Sequence, residues 1–218
     1  MTPHDCLTLA IRPACALLGP AFVSPEADVL LLAIALQEST LAARRQFGTG
    51  PARGYWQFEQ IAVQDVLTRA RTKPHAKALL DRLTYSSELT PAVVHAVLEH
   101  HDILAAGVAR LNLRNSPHPL PRLGDVDDAW TEYLGVWRPG KPRRDAWDAH
   151  YEMALETVDA APSRVSPVDT TRLRALLDEL RALLAVGVLV IRVIDLASAP
   201  PVVVTSPPAT WVPNERGD

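Results

Sequence analysis

A glutamate that closes an uninterrupted apolar run is the residue best placed in this sequence to do chemistry. Leu36-Gln37-Glu38-Ser39-Thr40-Leu41 ends a stretch that is apolar at every position from 29 to 36, and Gly50-Pro51-Ala52-Arg53-Gly54-Tyr55-Trp56-Gln57-Phe58-Glu59 follows it. A carboxyl group at the C-terminal end of a buried helix is poorly solvated, so its pKa rises and it keeps a proton near neutral pH. That is the requirement for a general acid. Tyr55, Trp56, Tyr133 and Trp137 add rigid faces with a polar handle, the kind of surface on which sugar rings stack.

The elements that must hold these residues are almost all helical. Ser24-Pro25 is a cap followed by proline in the first turn, opening a helix over 26–38 that is apolar all round and therefore enclosed. Glycines and a proline over 48–54 break the pattern, and Phe58, Ile61, Ala62 and Val66 restore it. Thr90-Pro91 repeats the capping device ahead of Val93, Val94, Val97, Leu98 and Leu104. Asp125 or Asp127 caps a helix carrying Trp130, Tyr133, Leu134 and Trp137 on one face, and Arg138-Pro139-Gly140-Lys141-Pro142 stops it. Trp147, Tyr151, Leu155 and Val158 mark one more helix.

Residues 161–168 turn to proline and serine, a linker. Beyond them Leu173, Leu176, Leu177, Leu180, Leu183 and Leu184 form an amphipathic stripe, and β-branched runs over 188–196 and 202–205 suggest short strands or extended arms. The expectation is a mainly α protein: a domain over 1–160, a linker over 161–168, and a C-terminal helix with an extended tail over 169–218 that serves as a docking element. No internal repeat is present.

Glu38-Ser39 at the end of a buried helix, then Gly54-Tyr55-Trp56-Gln57-Phe58 after a loop, resembles the Glu-Ser and Gly-Leu-Met-Gln motifs of soluble lytic transglycosylases and the related goose-type lysozymes. Gly54 follows Glu38 at a spacing close to the family's. Tyr55 and Trp56 are larger than the family's middle pair, which reshapes the groove floor. The family's Ala-Tyr-Asn-Ala-Gly motif is replaced by the loosely similar Trp130-x-x-Tyr133-x-x-x-Trp137-Arg138-Pro139-Gly140. The likeness covers roughly residues 20–150 and implies a lysozyme-like helical domain.

It further implies cleavage of the β-1,4 bond between N-acetylmuramic acid and N-acetylglucosamine in the glycan strands of peptidoglycan. Glu38 would be acid and then base, with no cofactor and no metal. Ser39 and Gln57 would orient the glutamate or a sugar, and Gly54, Tyr55, Trp56, Tyr133 and Trp137 would form the substrate groove. Only one carboxylate occupies a family position, which favours the non-hydrolytic route to a 1,6-anhydro product over hydrolysis by a lysozyme. Glu59 and Asp65 are read as ordinary solvated helix acids and left out of the site.

The 218 residues carry 22 Lys and Arg against 25 Asp and Glu, a net charge of −3 that gives no grip on nucleic acid phosphates. The longest uncharged apolar run, over 182–191, is about half of the roughly 20 residues a membrane helix needs. Cys6 and Cys15, nine positions apart, fall on opposite faces of a helix, so no disulfide is expected. His95, Glu99, His100, His101 and Asp102 contain metal-capable side chains without a His-Glu-x-x-His pattern and are read as a polar helix face. Arg44-Arg45 and Arg143-Arg144 are solvated charge that could attract acidic wall peptides.

The N-terminus has no basic segment followed by a long apolar one, so synthesis in a bacterial host's cytoplasm is expected, with action in the periplasm or on the cell wall. A bacteriophage protein fits this pattern, either released at lysis or carried in the virion for genome delivery. The 169–218 segment would then serve virion docking or self-association. The competing reading is a non-catalytic virion or wall-binding protein on the same fold.

Overall fold

The computed structural model describes residues 1–46 and 50–162, all within the unit Met1–Val165. Apart from Ala161 and Pro162, the expected linker lies outside these residues, as do the C-terminal helix and the extended arms. Within them the protein is mainly α.

The chain opens with α1 (Pro3–Asp5), passes through a π-helical segment (Cys6–Ile11) and continues as α2 (Arg12–Leu18). Pro13 explains the wider turn. A regular α-helix across it would need an N–H that proline lacks, and would press the ring on the carbonyl of Leu9. The Arg12 N–H instead reaches back five residues to the Leu7 carbonyl. Cys6 and Cys15 are both enclosed, although Leu9 between them is exposed, and burial pushes the Cys6 thiol up to about 12.

The centre of the fold is α3 (Pro25–Ser39), which starts as the sequence indicates. The Ser24 hydroxyl accepts the Ala27 N–H at 3.2 Å, and proline occupies the first turn. Every residue from Ala27 to Leu36 is buried. Each fully enclosed leucine there contributes roughly 1.5–3 kcal/mol of transfer free energy. The buried Asp28 is held by Arg12 at 3.1 Å.

After α3 come α4 (Gln60–Thr68), α5 (Lys73–Arg82), α6 (Pro91–Val97), α7 (Asp102–Arg114), α8 (Val126–Trp137) and α9 (Arg144–Ala160). The last of these, α9, packs along α3, while α7 packs on α2, α4 and α5. One expectation needs correction. The apolar positions from Val93 to Leu104 do not share a helix: α6 ends at Val97, and the His101 imidazole caps a new helix by accepting the Leu104 N–H at 3.1 Å. Of the two candidate caps of α8, Asp125 does the work and Asp127 pairs with Arg144.

The described stretches of chain between α3 and α4 are pinned at Arg44, Arg45 and Arg53. Arg53 forms isolated antiparallel bridges with Arg45 and Phe58. Arg44 makes two bonds to Asp102, at 2.8 and 2.7 Å, and Arg45 and Arg53 both grip Glu99. These pairs occupy two of the side chains considered as metal candidates, Glu99 and Asp102, and among the described residues no cluster has the makings of a metal site. No helix among the described residues is long and apolar enough to cross a membrane.

Gly54 sits where this loop meets α7, with φ +71° and an added Cβ only 3.0 Å from the Leu98 carbonyl oxygen. Gly54→Ala is therefore expected to destabilise the fold by about 1–3 kcal/mol, seen as a lower melting temperature, through left-handed strain and crowding against backbone. An unchanged melting temperature would contradict this.

Candidate active site

The carboxyl of Glu38 emerges where the burial of α3 stops. Leu36 is buried, Glu38 is half-buried and Thr40 is exposed, so the side chain sits at the boundary between core and solvent. The helix is ended abruptly by two consecutive non-glycine residues in left-handed conformation, Thr40 (φ 49°) and Leu41 (φ 56°). Such conformations persist only where the surroundings enforce them. Ser39 supplies part of that enforcement: its hydroxyl donates to the Ala35 carbonyl at 3.0 Å and accepts the Leu41 N–H at 3.2 Å.

Tyr133, on α8, donates its hydroxyl to Glu38 Oε1 at 2.7 Å. Burial pushes the Glu38 carboxyl up and this hydrogen bond pulls it part of the way back. Burial and the neighbouring carboxylate push the Tyr133 phenol up in turn, so it remains a donor. The ring of Tyr133 is fixed on three sides, stacked on Trp147 at 5.1 Å and packed against Trp130 and Trp137. A donor held this rigidly presents the carboxyl to one direction.

That direction is a long open cleft of about 1040 Å³. Glu38, Ser39, Gln57 and Trp137 line it, together with Ile61 from α4, Asn112 from α7 and the Arg138-to-Arg143 turn. Gln57 has φ 48°, and its amide nitrogen donates to the Gly54 carbonyl at 2.8 Å, closing the turn on itself. Trp137 donates its indole N–H to the Trp56 carbonyl at 3.0 Å, tying α8 to that turn while its ring borders the cleft.

Three expected substrate-binding residues lie elsewhere. Tyr55 is 3 % exposed and Trp56 is 0 % exposed; both belong to the core, and the Trp56 indole donates to the Leu31 carbonyl at 2.9 Å. Gly54 lies beneath them against Leu98 and Ala105. The physical reason is that the loop covers α3, and a fully apolar helix draws the largest apolar side chains above it inward. Tyr133 reaches the site by its hydroxyl alone, its ring being 2 % exposed.

The cleft also holds carboxylates that the sequence reading discounted or missed. Glu59 and Asp65 both border it, and so does Glu132, the neighbour of Tyr133 on α8. Burial pushes the Glu132 carboxyl up, and the Ser116 hydroxyl and His118 imidazole pull it back. The signal that could have revealed Glu132 is a charged residue inside a helix face otherwise given to the core. Arg143, grouped with Arg144 as solvated charge, is at the cleft rim, while Arg144 bonds Asp127 and Asp148.

No family model, curated protein or solved structure matches this chain. The site's own geometry carries the functional argument.

Glu38 has its pKa raised on folding, so the unfolded chain ionises first as pH climbs from the ordinary glutamate value of 4.5. The folded state is favoured while the carboxyl stays protonated and loses stability as pH rises through the folded-state pKa. Glu38→Gln keeps the acceptor for Tyr133 without the charge. It is expected to melt above wild type at about pH 8 and to approach wild type at about pH 4. A gap that widens as pH falls would contradict the sign.

Proposed function

We propose that this protein cleaves the β-1,4 glycosidic bond between N-acetylmuramic acid and N-acetylglucosamine in peptidoglycan, with Glu38 as its acid and base. The observation that supports this most strongly is the Tyr133–Glu38 hydrogen bond at 2.7 Å, formed on the wall of a cleft large enough for several sugar rings. Burial and one rigid donor together describe a carboxyl that can carry a proton and give it up in a fixed direction.

In the proposed reaction the protonated Glu38 gives its proton to the glycosidic oxygen as the bond from that oxygen to C1 of the muramic residue breaks. The resulting carboxylate then takes the proton of the muramic 6-hydroxyl as its oxygen bonds to C1. The product is a 1,6-anhydro sugar, no water is consumed, and Glu38 returns to its protonated state. Tyr133 holds the carboxylate during the interval by a charge-assisted hydrogen bond. Gln57 and Trp137 line the cleft in which the glycan would lie.

Hydrolysis is the second reading, and the acidic side chains of Glu59, Asp65 and Glu132 in the same cleft favour it. A second carboxylate that activates water would make the enzyme a lysozyme. A phage setting, with release at lysis or delivery with the genome, remains part of the proposal, as does action on the wall.

Digestion of purified peptidoglycan by wild type and Glu38→Gln, with fragments weighed by mass spectrometry, tests the reading. Fragments lighter by one water from wild type alone are expected. Reducing ends in their place would make the enzyme a lysozyme. No release by wild type would overturn the glycosidase reading in favour of a non-catalytic wall-binding protein.

A further inference from the structure

A stretch of the cleft wall contains enclosed polar atoms that lack partners. Asn112 and Ser116 are each 6 % exposed and Glu132 is 7 % exposed, and all three line the cleft with Asn115 and His118. They come from the end of α7, the turn after it, and the middle of α8. Both amide atoms of Asn115 and Oε1 of Glu132 are enclosed and make no hydrogen bond. Folded chains keep few unpaired enclosed polar atoms, because each was stripped of water without compensation. Three of them along one stretch of a binding cleft mark a place whose partners come with a ligand.

The atoms left unpaired say what kind of ligand. Asn115 offers one N–H donor and one carbonyl acceptor in a plane, and the group that answers both is another amide. Glu132 Oε1 asks for a hydroxyl or an N–H. An N-acetylated sugar carries an acetamido group beside hydroxyls on one ring. Reaching these atoms takes a turn about the last side-chain bond, a soft torsion for an amide or carboxylate.

We propose that Asn115 and Glu132 form a subsite that selects an N-acetylated sugar. Asn115 exchanges a reciprocal pair of hydrogen bonds with the acetamido group, and Glu132 accepts from a neighbouring hydroxyl. This rests on the reading that the cleft holds glycan. It adds that selection for the acetamido group is made by α7 and α8 rather than by the Gly54–Gln57 turn, whose two aromatic side chains are consumed by the core.

Calorimetric titration of the full chain carrying Glu38→Gln, which keeps the ligand intact, compares tri-N-acetylchitotriose with cellotriose, the neutral trimer with hydroxyls in place of acetamido groups. The acetylated trimer is expected to bind at least about ten-fold more tightly. Adding Asn115→Leu is expected to remove most of that preference while leaving cellotriose unaffected. The melting temperature should hold or rise, since an orphaned amide has been replaced by an apolar group. Glu132→Gln keeps the shape and is expected to weaken the acetylated trimer by about two- to five-fold, a second readout should Asn115→Leu disturb folding.

Unchanged selectivity in Asn115→Leu or, if that variant misfolds, unchanged affinity in Glu132→Gln overturns the subsite. So does equal loss of both ligands. If wild type still cleaves peptidoglycan in that case, the glycosidase reading stands without this subsite. If the parent binds neither trimer and wild type releases nothing from peptidoglycan, both readings fail together.

Discussion

An apolar helix without a polar face must be surrounded, and α3 imposes that demand on the π-helical segment, α7, α9 and the turn that carries Trp56. Its buried run ends at Leu36, and the next turn carries Gln37, Glu38 and Ser39 to the boundary of the core. Gln37 is used there as a clamp on α9, donating to the Arg143 carbonyl and meeting His150 at 2.8 Å. Glu38 is thus held at a fixed depth between hydrocarbon and water. A carboxyl at that depth has a raised pKa without any special partner.

The covering of α3 also explains how the site is made rigid. Trp56 bonds to the carbonyl of Leu31 in the middle of the helix, and Trp137 bonds to the carbonyl of Trp56, so one chain of indole donors runs from the core to the cleft. Exposed ion pairs such as Arg45–Glu99 add little energy singly. With Arg44–Asp102 and Arg53–Glu99 they fix Arg44, Arg45 and Arg53 against the turn between α6 and α7 and the first residue of α7. The aromatic group of Trp130, Tyr133, Trp137 and Trp147 then aims one hydroxyl at Glu38.

Much of this was legible in the sequence wherever a local rule decides the outcome. Ser24-Pro25 and Thr90-Pro91 start helices because a hydroxyl and a proline suit the first turn in any context. Glu38 stood out because eight apolar residues precede it, and Tyr133 because it lay on an aromatic helix face. Tyr55 and Trp56 misled for the opposite reason: an aromatic pair in a loop has the same composition whether it faces a groove or fills a core. Only the need to cover α3 decides between them. Asn115 was invisible because a polar residue at a helix end is ordinary until burial is known, Glu132 showed only as a charge on a core-facing helix face, and the π-helical turn before Pro13 depends on a bulge that periodicity does not encode.

The central claim is that burial and a single donated hydrogen bond set the protonation of Glu38. Its side-chain carboxyl carbon, labelled with ¹³C and assigned by its absence in Glu38→Gln, can be titrated by NMR in the full chain. The expected midpoint lies above the ordinary glutamate value of 4.5 and moves higher still in Tyr133→Phe, where the carboxylate loses the bond that stabilises it. A midpoint at or below 4.5, or one that falls when the Tyr133 hydroxyl is removed, would contradict the claim.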